Sequence, residues 1–154
     1  MKRIFAVLIL LCSVFPYYAK AEELKLAESA QSAILIEAST GEVLFEKNVH
    51  EKKFPASMTK MMSMLIILES IDKGIIKWDE MVTVSANASS MGGSQILLET
   101  NEQMSVSDLF KGIAVASGND AVVALAEKIA GTEDMFVDMM NKRAQELGLT
   151  LSLI

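Results

Sequence analysis

The 154-residue chain has one cysteine, one histidine and two prolines, and these scarcities exclude several kinds of protein. Cys12 lies in the hydrophobic N-terminal segment, so the chain after it has no thiol and cannot form disulfides. A zinc site needs several Cys or His ligands, which His50 alone cannot supply, so we expect no metal and no cofactor. Acidic side chains outnumber basic ones, 20 to 14. Because nucleic-acid binding needs clustered Lys and Arg, we expect no nucleic-acid partner.

Residues 1–21 have the pattern of a secretory signal peptide. Two basic residues precede an apolar run over residues 4–15, and Ala19 and Ala21 have the small-x-small spacing of a signal-peptidase site. The run is well short of the ~20 residues that span a membrane. We therefore expect export and cleavage after Ala21, which removes three of the basic side chains and leaves a net charge of −9. Residues 22–154 are then short enough to form one domain.

Hydrophobic periodicity and turn residues predict an α+β domain in the rest of the chain. Alternation predicts a β-hairpin, and Pro55 is expected to open an apolar helix that stops before Gly74. A flexible loop is expected at "SSMGGSQ", and Ser105 and Asp108 resemble a capping box. The predicted strands are 33–37, 43–47 and 81–84, and the predicted helices are 55–72, 106–116, 121–130 and 132–148. A sheet usually needs three or more strands with a covered face, so we expect this sheet to be incomplete.

The segment "FPASMTKMMSMLIILES" places Ser57 three residues before Lys60. On a helix, residues three apart share a face, with Cβ atoms ~5–6 Å apart. The helix that contains the pair is apolar on nearly all of its faces, which predicts that it is buried. Burial disfavours the charged form of a lysine, so Lys60 could accept a proton from the Ser57 hydroxyl. Backbone N–H groups at the helix start could stabilise an oxyanion formed there.

Ser-x-x-Lys is a loose pattern, and the chain contains a second copy at Ser70 and Lys73. This copy lies at the solvated end of the same helix. Its lysine is most simply a charge that complements the helix dipole. We therefore assign chemistry to Ser57 and Lys60 only. His50 lies in a charged connector, and we expect no chemical role for it.

A second polar pattern, Ser117-Gly118-Asn119, lies between two apolar helical runs. Polar side chains at such a junction would point into the interior or into a cleft. The alternative is an ordinary helix break, in which Gly118 ends one helix and Asn119 or Asp120 caps the next. The similar Ser85-Ala86-Asn87 lies in a polar connector, where a surface position is expected.

Ser-x-x-Lys followed by Ser-x-Asn about 60 residues later is the ordered pair of serine acyl-transfer enzymes that react with penicillin. The segments "PASMTKMM", "MGGSQILLE" and "AVASGNDAVVALAE" resemble the D-alanyl-D-alanine carboxypeptidases, the low-molecular-weight penicillin-binding proteins of bacterial cell walls. The resemblance covers about residues 31–149. Gly118 fits these carboxypeptidases better than the class A β-lactamases, which usually have Asp there.

The resemblance implies a β-lactamase/transpeptidase-like fold, an antiparallel sheet packed by helices with a helical subdomain. It implies that Ser57 is the nucleophile, Lys60 the general base, Ser117 a proton relay and Asn119 a positioning residue. The implied reaction removes the terminal D-alanine from peptidoglycan stem pentapeptides through an acyl-enzyme, in cell-wall biogenesis. β-Lactam antibiotics would be covalent inhibitors. The implied location is the extracytoplasmic face of the membrane, the cell wall or the periplasm.

The third motif of that family, Lys-Thr-Gly on a strand at the sheet edge, does not occur between residues 1 and 154. We therefore expect the chain to be the N-terminal part of such an enzyme, truncated before the later strands and any membrane-anchoring helix. Membrane association would need that anchor. Two alternatives stay open: a β-lactamase-like hydrolase, and an inactive remnant of the carboxypeptidase.

Overall fold

The computed structural model describes residues 26–149, and the predicted signal peptide and the last five residues lie outside this range. The chain divides into two compact units, the first ending at Glu51 and the second beginning at Lys52. None of the helices formed by the described residues has both the length and the apolar character needed to cross a membrane.

The first unit contains the predicted β-hairpin. Strand β1 (Ala33–Ile36) pairs antiparallel with β2 (Val43–Lys47), and Leu35 lies opposite Phe45. The register shifts between Leu35 and Ile36, which indicates a β-bulge beside the turn. The hairpin prediction is therefore confirmed, with β1 ending one residue early.

One carboxylate organises the turn of this hairpin. Glu37 Oε2 accepts hydrogen bonds from the backbone N–H and hydroxyl of Ser39, at 3.0 and 2.8 Å, and from those of Thr40, at 2.6 and 2.7 Å. Donors that point at a carboxylate favour its charged form. The Thr40 hydroxyl makes the largest contribution, followed by that of Ser39, and together these bonds lower the pKa of Glu37 from 4.5 to about 2.

We expect the hairpin turn to loosen in acid. Because the folded-state pKa is the lower one, the carboxylate stabilises the turn above pH 4.5, and this contribution is lost as the pH falls towards 2. NMR titration of the Glu37 side chain should give a midpoint near 2, with Ser39 and Thr40 amide signals moving in step. In the Glu37→Gln variant these amide signals should not titrate over that range. A midpoint at the ordinary glutamate value would contradict the structure.

The second unit is mainly helical, and those of its elements that were predicted begin and end close to the expected positions. In chain order they are a 3₁₀ helix (Ala56–Thr59), α1 (Lys60–Asp72), β3 (Met81–Thr83), α2 (Ala86–Ser89), β4 (Gln103–Ser105), α3 (Val106–Ala116), α4 (Asn119–Ala130) and α5 (Glu133–Glu146). Strand β3 pairs antiparallel with β4. The described strands thus form two separate two-stranded sheets, and the predicted α+β class with an incomplete sheet is confirmed.

Local capping signals set several helix boundaries. The Ser105 hydroxyl accepts a hydrogen bond from the Asp108 N–H at 3.1 Å, which begins α3, and the Thr132 hydroxyl accepts one from Met135 N–H at 3.2 Å, which begins α5. Helix α4 starts two residues earlier than predicted, with Gly118 as its N-cap. The alternative in which the Asn119 or Asp120 side chain caps this helix is therefore wrong.

Helix α4 forms the centre of the second unit, because it contacts every other α-helix of the unit and strand β3. Its buried residues are mostly small, which allows close helix packing around it. The largest fully buried side chains of the unit are Phe136, Ile67, Ile76, Leu109 and Leu125. This core holds α1, α3 and α4 in the relative positions that the site requires.

Helix α1 is less buried than its composition predicts. Only Ser63, Ile66, Ile67 and Ser70 are buried, on the side that faces α3, α4 and α5. Met58 and Met61, beside the Ser-x-x-Lys pair, are 61% and 62% exposed. The prediction of a helix buried nearly all round is therefore wrong, since the described residues cover one side of it.

Candidate functional site

The fold brings the two polar patterns together within the second unit. The Ser117 hydroxyl donates a hydrogen bond to the Ser57 hydroxyl at 3.0 Å, although the residues are 60 positions apart. Lys60 Nζ donates to Asn119 Oδ1 at 2.6 Å. The serine and the lysine of the first pattern thus each contact a residue of the second pattern, and the four predicted residues lie in one site.

The start of the first helical segment presents Ser57 and Lys60 on one face. Ser57 lies in the 3₁₀ helix and Lys60 is the first residue of α1. A 3₁₀ helix has three residues per turn, so side chains three apart are eclipsed. Ala56, just before Ser57, has a positive φ of 49°, which is unusual for a residue with a Cβ and is common at functional sites. Ser57 is exposed and Lys60 is half-buried, whereas the sequence predicted a buried lysine.

Ser117 forms the turn between α3 and α4. It has left-handed backbone angles, φ 57° and ψ 34°, where glycine is usual at the end of a helix. The N–H of Gly118 bonds to the Gly112 carbonyl at 3.1 Å, which closes the end of α3. Because only Ser117 and Gly118 separate the two helices, the Ser117 and Asn119 side chains emerge at the same helix junction.

Asn119 is held by a loop over residues 91–98. Its side-chain Nδ2 donates to the Gly92 carbonyl at 2.7 Å, and its backbone N–H donates to the Ser94 carbonyl at 2.7 Å. The sequence indicated only a flexible loop here. Contacts of a loop backbone with a distant helix leave no periodic signal, so Gly92 and Ser94 could not be assigned in advance.

Asp120 is a second residue of this region to which sequence reasoning gave no role in the site. Its side chain is buried, and it accepts hydrogen bonds from the N–H groups of Ile96, Leu98 and Ala121. The only advance signal was a carboxylate inside an apolar helical segment, which normally requires partners.

The other Ser-x-x-Lys and Ser-x-Asn patterns have structural contacts. The buried Ser70 hydroxyl donates to the Ile66 carbonyl at 2.7 Å, and Lys73 pairs with Glu69 at 3.6 Å. Ser85 caps α2, because its hydroxyl accepts from the Ala88 N–H at 2.9 Å. These contacts agree with the structural interpretation of both copies.

The site therefore combines two hydroxyls, an amine and an amide in two linked pairs. A hydroxyl beside a second hydroxyl and an amine can lose a proton and attack an electrophilic carbon. The first turn of a helix also has N–H groups without intrahelical partners, which can stabilise negative charge. This set of groups fits acyl transfer through a serine.

Comparisons with known proteins identify the proteins that this chain resembles. Residues 19–152 match the family model of D-alanyl-D-alanine carboxypeptidase. Among curated proteins, D-alanyl-D-alanine carboxypeptidase DacF of Bacillus subtilis is 58% identical over 125 residues, which cover 81% of this chain and 32% of the relative. The chain thus spans about a third of the length of this relative.

Solved structures of similar proteins have the same fold. D-Alanyl-D-alanine carboxypeptidase DacD of Francisella tularensis is 38% identical with a TM-score of 0.79, covering 86% of this chain and 31% of that one. Penicillin binding protein 6B of Escherichia coli is 40% identical with a TM-score of 0.75, covering 80% of this chain and 41% of that one. The predicted β-lactamase/transpeptidase-like fold is therefore confirmed.

Proposed function

Because the chain belongs to the D-alanyl-D-alanine carboxypeptidase family, we propose that it supplies the nucleophile and the proton-transfer groups of a serine-type carboxypeptidase. The supporting observation is the pairing of Ser57 with Ser117 and of Lys60 with Asn119, at 3.0 and 2.6 Å. The proposed substrate is the D-alanyl-D-alanine end of a peptidoglycan stem pentapeptide.

In the acylation step, Ser57 Oγ attacks the carbonyl carbon between the two D-alanines. Neutral Lys60 accepts the hydroxyl proton as general base. The tetrahedral intermediate carries an oxyanion, which the first-turn N–H groups beside Ser57 would stabilise. The C–N bond then breaks, and the proton passes through Ser117 to the departing D-alanine amine. The product is an ester between Ser57 and the shortened peptide.

In the deacylation step, water attacks this ester. The same base takes a proton from the water, and Ser57 regains its hydroxyl when the tetrapeptide leaves. Asn119 has a positioning role, because its Oδ1 accepts from Lys60 at 2.6 Å while its Nδ2 is held by the Gly92 carbonyl. No histidine takes part in this scheme.

Gly118 supports a carboxypeptidase over a β-lactamase-like hydrolase. A Cβ at this position would lie 2.9 Å from Asp120 Oδ1 and 3.3 Å from Ile96 Cγ2. The aspartate of the usual β-lactamase motif would bring such a Cβ against the buried Asp120 carboxylate. The site therefore has room for glycine at position 118, as in Ser-Gly-Asn, and not for a larger residue.

The proposal includes the setting and the inhibitors of the enzyme. The substrate belongs to the cell wall, so the protein would act after export, on the extracytoplasmic side of the membrane. Penicillin resembles the D-alanyl-D-alanine end, so β-lactams should form an ester with Ser57 that persists. The name of the E. coli structural relative, a penicillin binding protein, supports this inhibitor class.

A labelled penicillin tests the proposal directly. Two proteins are compared: the 154-residue chain, and an extended chain in which it is followed by the remaining C-terminal part of the B. subtilis relative. After digestion, mass spectrometry of the extended chain should locate the adduct on Ser57, with none in Ser57→Ala. The family resemblance implies that the Lys-Thr-Gly strand supplies the second oxyanion N–H. The 154-residue chain has no Lys-Thr-Gly, and loss of one oxyanion donor costs ~10²–10³-fold, so we expect it to react at least that much more slowly.

Two outcomes would count against the proposal. An extended chain that forms no adduct, or forms it on another residue, would remove the assigned nucleophile. Rapid loss of the adduct with release of hydrolysed penicillin would favour the β-lactamase-like alternative. Release of D-alanine from a pentapeptide measures the proposed reaction itself.

A further inference from the structure

Asp120 is a buried carboxylate that the proposed reaction does not use. Its side chain is 1% exposed, in the first turn of α4. Oδ1 accepts from the N–H groups of Ile96 at 3.1 Å and Ala121 at 2.9 Å, and Oδ2 accepts from those of Ile96 and Leu98, both at 3.1 Å. A carboxylate so far from water is tolerated only when donors surround it, so these bonds are a structural requirement.

Two of these three donors belong to the loop over residues 91–98, which also contacts Asn119. The Gly92 carbonyl accepts from Asn119 Nδ2 and the Ser94 carbonyl accepts from the Asn119 N–H, each at 2.7 Å. Asp120 therefore fixes the C-terminal part of the loop, and the preceding part fixes Asn119. The two consecutive residues of α4 hold the same loop at its two ends.

These contacts also determine which end of the Asn119 amide faces the lysine. An amide has a donor end and an acceptor end. With Nδ2 committed to the Gly92 carbonyl, Oδ1 is presented to Lys60 Nζ at 2.6 Å. Rotation of the amide would turn its NH₂ group towards Lys60, and Lys60 Nζ would lose the oxygen to which it donates.

The loop and α4 approach each other too closely for a side chain at two glycines. A Cβ on Gly93, whose φ is 80°, would lie 2.9 Å from Asn119 Nδ2. A Cβ on Gly118 would lie 3.3 Å from Ile96 Cγ2 in the loop. A small shift of the loop therefore changes the position of the Asn119 amide.

We infer that Asp120 is a positioning residue for Lys60, acting through the loop over residues 91–98 and the Asn119 amide. The inference rests on the proposed function for the identity of the reaction. It assigns Asp120 no contact with substrate. Its role is to fix the position of the loop relative to α4, so that Asn119 Oδ1 can accept the hydrogen bond from Lys60 Nζ.

The Asp120→Asn variant tests this role, because it keeps the shape and replaces one acceptor oxygen with a donor that faces a backbone N–H. In the extended chain we expect penicillin acylation to fall by about 10- to 100-fold, since small misplacements of reacting groups cost this much. Asp108→Asn is the matched control: it makes the same change at the exposed start of α3, and acylation should stay within about twofold. An Asp120→Asn rate equal to that control would overturn the inference.

A double-mutant cycle separates positioning from a general loss of stability. If Asp120 acts through Asn119, the Asp120→Asn change should have little further effect on acylation in an Asn119→Ala background. Equal fold-losses in both backgrounds would show that Asp120 does not act through this amide.

A spectroscopic readout does not depend on catalysis. In the unreacted 154-residue chain, the Asn119 side-chain NH₂ signals should shift in Asp120→Asn and stay unchanged in Asp108→Asn. This result can be obtained even if no acylation occurs, so failure of the proposed function is distinguishable from failure of this inference. Unmoved NH₂ signals in Asp120→Asn would refute the positioning role.

Gly93→Ala provides a second variant that leaves the buried carboxylate intact. The added methyl should press on Asn119 Nδ2 from the loop side, shift the same NH₂ signals and slow acylation of the extended chain. If the acylation rate and the Asn119 NH₂ signals were both unchanged, the position of the loop would not control the position of the Asn119 amide, and the inference would be wrong.

Discussion

Replacing Lys60 with methionine is expected to slow acylation of Ser57 by penicillin by ~10²–10⁴-fold, the usual contribution of a general base. Methionine keeps a long unbranched chain but has no amine to accept the proton. It also leaves Asn119 Oδ1 without the donor that lies 2.6 Å away. The rate constant of adduct formation in the extended chain measures the effect, and thermal unfolding checks that the variant is folded.

The chain itself offers the control, because Lys73 belongs to the second Ser-x-x-Lys. Its side chain is 65% exposed and pairs with Glu69, so Lys73→Met should change the acylation rate by less than about twofold. Lys60→Arg separates two roles of the amine: arginine keeps a donor for Asn119 but cannot act as a base. Equal rates for Lys60→Met and Lys73→Met would contradict the assigned base.

The Phe136→Ala variant should lose about 3–5 kcal/mol of unfolding free energy, the range typical of buried aromatic truncations. Phe136 is 2% exposed and is the largest fully buried side chain among residues 26–149. It lies on α5, which packs against α1 and α4, the helices that carry Lys60 and Asn119. Domains are stable by only ~5–15 kcal/mol. We therefore also expect a lower acylation rate, because part of the Phe136→Ala protein would be unfolded under the assay conditions.

Met135 provides the comparison on the same helix. It precedes Phe136 but is 56% exposed, so Met135→Ala should change the unfolding free energy by no more than ~0.5 kcal/mol. Urea denaturation of the three proteins gives both differences. Similar losses of unfolding free energy for the two variants would mean that α5 does not bury Phe136 against α1 and α4.

Elements with local signals were predictable. The hairpin follows from alternation around a glycine turn, and the helices after Ser105 and Thr132 begin at side-chain caps that the sequence displays. The short elements α2 and β4 were missed. A four-residue helix and a three-residue strand are too short for periodicity, and they exist because neighbouring segments hold them.

The residues of the candidate site could be predicted from the sequence, but the contacts that hold their side chains in place could not. The four residues Ser57, Lys60, Ser117 and Asn119 are recognisable because the two patterns occur in order, within segments that resemble those of a known family. The half-buried state of Lys60 was not predictable, because composition gives the polarity of a helix and not which neighbours cover it.

By itself, the sequence determined the polar groups, their spacing along each helix and the caps that begin those helices, since these depend on contacts between residues a few positions apart. Only the tertiary structure decided that Ser57 meets Ser117, that Lys60 meets Asn119, and that a loop held by Asp120 orients the amide between them. These pairings join residues 22 to 60 positions apart. They arise from packing of α1, α3 and α4 around one core, and no pattern within a single segment encodes that arrangement.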